Sequence, residues 1–167
     1  MDDIEQGKPK STGKIYWFIS LAVFILLLPG SLLLALFGLA SLNDSYSHDA
    51  DMLWGVLSAA EAALLILGSL ASLAYLITRN QVIGKVAILF LVLSILGCFC
   101  DIAAGVQMFN ASQHRGGDWA GFAVVGNLLF GILFPAVLGL LAAGGGACIL
   151  VLYSKNQLQP PAKLDGV

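Results

Sequence analysis

Charge is what this chain has least of. Asp, Glu, Lys and Arg make up 11% of its 167 residues, against 59% apolar. A soluble domain carries about 25% charged residues. No Lys, Arg or His lies in the core of any apolar run. The apolar surplus exceeds what an aqueous core of this size can hide. Cysteine is also scarce. Cys98, Cys100 and Cys148 all lie within apolar runs, so no disulfide ties the connecting segments. Cys98-Phe99-Cys100 lacks the C-x-x-C spacing of a redox pair, and the three read as small packing residues. Cys148 is also placed for palmitoylation, near the end of the last run.

Catalytic signatures are missing as well. There is no H-E-x-x-H, no G-x-S-x-G and no phosphate-binding loop. The expectation is a protein that is not an enzyme, with no cofactor and no metal. His48 with Asp49 and Asp51, and His114 with Asp118, lie on separate connecting segments. They read as solvated loop polars, and bis-histidine haem ligation within a membrane is excluded. The basic residues are not interleaved with aromatics, so nucleic acid is not an expected partner.

What the chain does have is four apolar runs, at about 15–42, 53–78, 82–109 and 120–153. Each exceeds the roughly 20 residues that cross a bilayer as a helix. The expected fold is all-α: one antiparallel, left-handed bundle of four transmembrane helices. A disordered tail (1–14) and a short tail (155–167) flank the membrane domain (15–154). The first run is too long for a signal-peptide core and lacks a cleavage site, so it reads as a signal anchor.

Basic residues set the expected orientation. With the N-terminus cytosolic, Lys8, Lys10, Lys14, Arg79, Lys85, Lys155 and Lys163 lie inside and only Arg115 lies outside. This is the positive-inside bias. It puts both termini in the cytosol and Asp44, Asp49, Asp51 and Asp118 on the outer face. Two glycosylation sequons, starting at Asn43 and Asn110, fall in the expected outer loops. The expected location is the plasma membrane or a secretory-pathway endomembrane.

Small residues recur every fourth position. Gly55, Ala59 and Ala63 form one stripe in the second run, and Gly139, Ala143 and Ala147 another in the fourth. Gly97 and Gly105 share a face of the third run with Asp101. Such stripes let helices approach closely. Pro29 and Pro135 are expected to kink the first and last spans.

The sharpest chemical signal is a pair of intramembrane acids, Glu61 and Asp101. Counted from the outer ends of their spans, Glu61, Asp101 and Asn127 all sit about 10–12 Å deep. The short connection at 79–85 brings the second and third spans side by side, so the acids can meet. Three readings follow. The carboxyls are protonated and bond each other or Asn127; they pair with a cation from another subunit; or they bind a cation or relay protons. The C-terminal Leu164-Asp165-Gly166-Val167 fits the pattern of a PDZ ligand.

This layout, with Asp101 in the third span, resembles the MARVEL-type tetraspan membrane proteins. It lacks the basic residue that plant Casparian-strip-like relatives carry in span one. Leu53-Trp54-Gly55 and Gly84-Lys85 resemble the membrane-spanning four-domain family A. Claudins and tetraspanins need outer-loop cysteines that are absent, and the arginine-rich loops of MAPEG enzymes are missing. The resemblance implies a non-enzymatic scaffold or accessory subunit whose partners are the lipid bilayer, other membrane proteins or further copies of itself. The competing expectation is a small proton or cation channel or transporter using Glu61 and Asp101.

Overall fold

The computed structural model describes residues 11–43, 49–113 and 120–158, and these are helical almost throughout. The elements are α1 (Ser11–Leu42), α2 (Asp49–Thr78), α3 (Gln81–Gln113), α4 (Ala120–Leu128), a π-helical turn (Leu129–Leu133) and α5 (Phe134–Leu158). Four stretches are long and apolar enough to cross a membrane: Gly13–Leu42, Asp51–Thr78, Gln81–Gln113 and Val124–Lys155.

The helices overrun the apolar runs. α1 begins at Ser11, so residues 11–14 belong to it and not to a tail. α2 begins at Asp49, with Asp49 and Asp51 in its first turn, where carboxylates meet the positive end of the helix dipole. α3 continues to Gln113. The expected connection at 79–85 shrinks to two residues. Arg79 adopts a left-handed conformation (φ 55°) that ends α2. Asn80 Oδ1 then accepts from the Val82 N–H at 2.9 Å, capping α3.

α1 packs on α2 and α5, and α3 packs on α2, α4 and α5. At one end, Trp17 Nε1 donates to the Leu76 carbonyl at 3.2 Å, the Tyr75 and Tyr153 rings lie 6.2 Å apart, and Lys155 sits 5.4 Å over the Tyr16 ring. Lys14, Arg79, Lys85 and Lys155 gather at this basic end. At the opposite, acidic end, Ser41 Oγ donates to the Asp51 carbonyl at 2.9 Å, and the Phe37 and Phe130 rings lie 4.4 Å apart.

Buried positions alternate by three and four. In α1 they are Ser20, Phe24, Leu27, Ser31, Leu34 and Gly38; in the last span, Gly131, Pro135, Leu138, Ala142, Gly145, Ile149 and Leu152. This is a seven-residue repeat, the pattern that winds packed helices left-handedly. The interior mixes Phe24, Leu27 and Leu65 with Ser20, Ser58, Ser69 and Ser72, while Phe99, Phe122 and Leu140 stand out into the surroundings. No more than 39% of the apolar window in any of the four stretches is buried within the chain. Some buried hydroxyls are satisfied within their own helix, while Ser20 Oγ and Ser69 Oγ have no hydrogen-bond partner among the described residues. Ser72 and Ser94 donate to the carbonyls four residues back, Gly68 and Phe90, at 2.7 Å.

Two glycine pairs set the closest approaches. A Cβ on Gly38 would stand 2.9 Å from the Gly55 carbonyl oxygen, and one on Gly55 would stand 2.8 Å from that of Gly38. Gly105 and Gly131 are closer still: a Cβ on Gly105 would collide with the Gly131 backbone. Pro135 explains this second contact. It has no N–H to give the carbonyl four residues back, which is that of Gly131. The helix widens to a π turn, in which the Phe134 N–H reaches the Leu129 carbonyl. The Gly131 carbonyl, freed from the ladder, abuts Gly105, in the manner of a Cα–H···O contact between helices. At Pro135, where the sequence leads one to expect a kink, the helix is preceded by this π turn. Pro29 lies on the exposed side, and α1 continues through it without interruption.

The small-residue stripes divide between inward and outward faces. Gly55 packs on Gly38 and Ala59 is half-buried, but Ala63 faces outward and Ala62 is buried in its place. Gly139 packs on Cys98, whereas Ala143 and Ala147 face outward. The reason is geometric. A step of four residues overshoots a full turn by about 40°, so an unbroken every-fourth row leaves the buried face within two steps.

Gly105→Ala is expected to lower stability by about 1–3 kcal/mol through overpacking. Gly144→Ala, where nothing lies within 4 Å, is expected to stay within about 0.5 kcal/mol of the parent or gain from better helix propensity. Thermal unfolding of both variants in one detergent, followed by circular dichroism, checks the contrast.

Candidate functional site

Ser58 and Glu61 lie three residues apart on α2, and Cys98 and Asp101 three apart on α3. A three-residue step keeps two side chains on one helix face, and the two faces meet. Ser58 Oγ donates to Asp101 Oδ1 at 2.7 Å, and the Cys98 thiol donates to Glu61 Oε1 at 2.7 Å. All four side chains are buried, with Glu61 1% and Asp101 0% exposed. Gly97 packs beside Glu61, and Gly139 brings α5 against the Cys98 sulfur.

The second oxygen of each acid, Glu61 Oε2 and Asp101 Oδ2, has no hydrogen-bond partner. The two carboxyl groups lie close enough to interact directly. Among the described residues no ion pair reaches either one, and no group of three His, Cys, Asp or Glu is placed to hold a metal ion. A carboxylate only accepts, whereas a protonated carboxyl also donates. Two buried anions without a counterion cost several kcal/mol each. Protonation of either carboxyl would turn one of these acceptor-only oxygens into a donor.

Asn127 does not join the acids. The Gly105–Gly131 contact fixes the register: Asp101 is one turn inward from Gly105, and Asn127 is one turn outward from Gly131. Eight residues, about 12 Å, therefore separate their levels. The equal depths counted from the sequence assumed that the third span ends at Phe109. α3 runs four residues further, so Asp101 lies deeper than that count.

Asn127 instead lines a cavity of about 250 Å³ at the acidic end, with Phe37, Ser41, Asp51, Trp54, Met108, Gly126 and Phe130. Sequence reasoning missed this cavity, because its walls come from all four spans. It also missed Ser58 and Cys98 as partners of the acids. The three-residue spacings Ser58–Glu61 and Cys98–Asp101 were the available signal.

Asn43 is exposed just beyond α1. Asn110 is exposed within the last turns of α3, not in a loop. Its sequon hydroxyl, on Ser112, is buried and donates to the Phe109 carbonyl at 2.7 Å. His48, His114, Arg115, Asp44, Asp118 and the C-terminal Val167 lie outside the described residues. No family model matches the chain, no curated protein matches it, and no solved structure matches its fold.

Ser58→Ala removes the donor to Asp101 and is expected to cost about 1–2 kcal/mol. A double-mutant cycle with Asp101→Ala, which removes the acceptor, read by reversible unfolding in mixed micelles, should give a coupling of about 0.6–1.7 kcal/mol. Zero coupling would mean that the bond contributes nothing to holding α2 on α3.

Proposed function

We propose that the chain is a multi-pass integral membrane protein working as a scaffold or accessory subunit of a membrane domain or complex. In this reading the four spans form an antiparallel, left-handed bundle. Both termini face the cytosol, in the plasma membrane or a secretory-pathway membrane. The gathering of Lys14, Arg79, Lys85 and Lys155 at one end supports the orientation.

The observation that carries the proposal is the outward face of α5. Leu140, Ala143, Gly144 and Ala147 are all exposed, and a Cβ at Gly144 would meet nothing within 4 Å. The small side chains at Ala143, Gly144 and Ala147 let a second helix approach closely. Partners are other membrane proteins or further copies of the chain. The acids draw their donors, Ser58 and Cys98, from within the chain, which supports a structural role over pairing with a partner's cation. The centre, filled by Phe24, Leu27, Leu65, Leu138 and Ile149, supports a scaffold over a channel.

One observation favours a second reading: the open oxygens Glu61 Oε2 and Asp101 Oδ2 are where a transported proton or cation would rest.

Native mass spectrometry of gently solubilised protein separates the two. Ala143→Leu with Ala147→Leu should abolish an oligomer or a co-purifying partner while leaving the helical content unchanged. Liposome flux should be absent in the parent. A lone monomer whose flux disappears in Glu61→Gln with Asp101→Asn would replace the scaffold with a transporter.

A further inference from the structure

The outward side of α3 carries a seam of exposed residues that alternates by three and four, like the buried seam opposite. Val82, Val86, Leu89, Leu93 and Leu96 make its first half large and apolar, as suits hydrocarbon. Its second half changes character. Cys100, Ala103, Gln107 and Asn110 continue the same steps, and all four are exposed. Gln107 is the anomaly. A side-chain amide carries two donor hydrogens and an acceptor oxygen, and that of Gln107 makes no hydrogen bond among the described residues.

Contacts between the spans fix the level at which Gln107 stands. The Ser58–Asp101 bond sets residue 58 of α2 opposite residue 101 of α3. Only two residues separate these helices, so the chain doubles back and Gln107 comes level with Met52, 48% exposed. The Gly105–Gly131 contact likewise sets Gln107 level with Leu129, 45% exposed. On the last span, Val125 and Phe122 still stand outward past that level, Phe122 by about 10 Å. At its own depth and beyond, Gln107 is therefore flanked by side chains of the lipid-facing kind. An amide left unpaired there is costly, because hydrocarbon offers no water in place of a partner.

A partner for this face must reach the same depth and offer both a donor and an acceptor. A second copy of the chain does both. Copies inserted in one membrane share an orientation, so their α3 helices run parallel. A two-fold axis along the membrane normal then sets each residue of the seam against itself. An amide is its own complement, so Gln107 of one copy bonds Gln107 of the other. No charged residue lies on the seam to repel its counterpart. Ala103 and Cys100, one and two turns inward, are small enough for the two backbones to approach. Alternating steps of three and four are those of a left-handed helix pair, in which one polar residue on the seam fixes the register.

We propose that the outward face of α3 is a homodimer interface, closed by a hydrogen bond between two Gln107 amides. It rests on the membrane reading above but not on the outward face of α5, which lies on another helix and answers to its own substitutions.

The test uses the full-length protein in phosphatidylcholine vesicles, with Cys98→Ser and Cys148→Ala leaving Cys100 as the one thiol. Copper phenanthroline is expected to join Cys100 of two copies into a covalent dimer. A control that adds Cys100→Ala and Leu67→Cys, moving the thiol to the outward side of α2, should remain uncrosslinked. Energy transfer between copies labelled at the C-terminus, measured as lipid is added, gives the dissociation constant. Gln107→Leu should raise it by roughly three- to twentyfold, and Gln107→Asn, which keeps an amide, should raise it less. Helical content should be unchanged, since leucine suits a lipid-facing position. Ala143→Leu with Ala147→Leu should leave the Cys100 link and the constant as they were, so failure of the α5 contact and failure of this one are separate results. The proposal is overturned if the parent stays single at every dilution, as it would if the seam met only lipid or a different protein. It is equally overturned if the Leu67→Cys control links as readily as Cys100, or if Gln107→Leu pairs as tightly as the parent.

Discussion

A helix surrounded by hydrocarbon has no water to bond with, so every backbone N–H and C=O must find its partner inside the helix. This constraint dictates the shape of the rest. Once the backbone is satisfied within each span, large apolar side chains gain little by turning inward, because lipid is as apolar as they are. What the interior gains is close contact. Glycines and serines therefore share the faces between helices with buried Phe24, Leu27 and Leu65, and Phe99, Phe122 and Leu140 stand outside. An aqueous four-helix bundle would not leave so many large apolar side chains outside, and two of the buried hydroxyls illustrate the logic within. Ser72 and Ser94 turn back to the carbonyl four residues earlier and so bring no unpaired polar group into the interior.

The same constraint connects a proline to the placement of an acid. Pro135 cannot complete the ladder, the turn before it widens, and the Gly131 carbonyl turns toward Gly105. Only residues without a Cβ permit that approach. The contact then fixes how far α3 stands along the last span. It puts Asp101 inward, opposite Ser58 and Glu61, and leaves Asn127 outward at the cavity. A local defect in hydrogen bonding thus separates a buried pair of acids from the cavity at the acidic end.

The four helices were legible in the sequence because apolar length is a strong signal in a chain with so little charge. Their ends were not. Ser11–Lys14, Asp49–Met52 and Asn110–Gln113 are polar or mixed, yet they continue as helix, since each adds intrahelical hydrogen bonds to a helix already formed. The neighbourhood of Glu61 and Asp101 could be read from the short connection between their spans. The donors Ser58 and Cys98 could not be ranked above other small residues without knowing which faces meet. Ala63, Ala143 and Ala147 face outward, and the spacing could not say which side they would take. An every-fourth spacing suggests one face, and the buried face follows alternating steps of three and four. The cavity had no sequence signal, because Phe37, Asp51, Met108 and Asn127 converge only when all four spans are assembled.

The account stands on four crossings with both ends of the chain on one side. Single cysteines replacing Lys10, Ser47, Gln81, Gly116 and Gln159, in a chain whose native cysteines are changed to alanine, test this in sealed right-side-out cells with a membrane-impermeant thiol reagent. Ser47→Cys and Gly116→Cys should react before permeabilisation, and the other three only after it. Reaction of Lys10→Cys, Gln81→Cys or Gln159→Cys in intact cells would contradict the architecture proposed here.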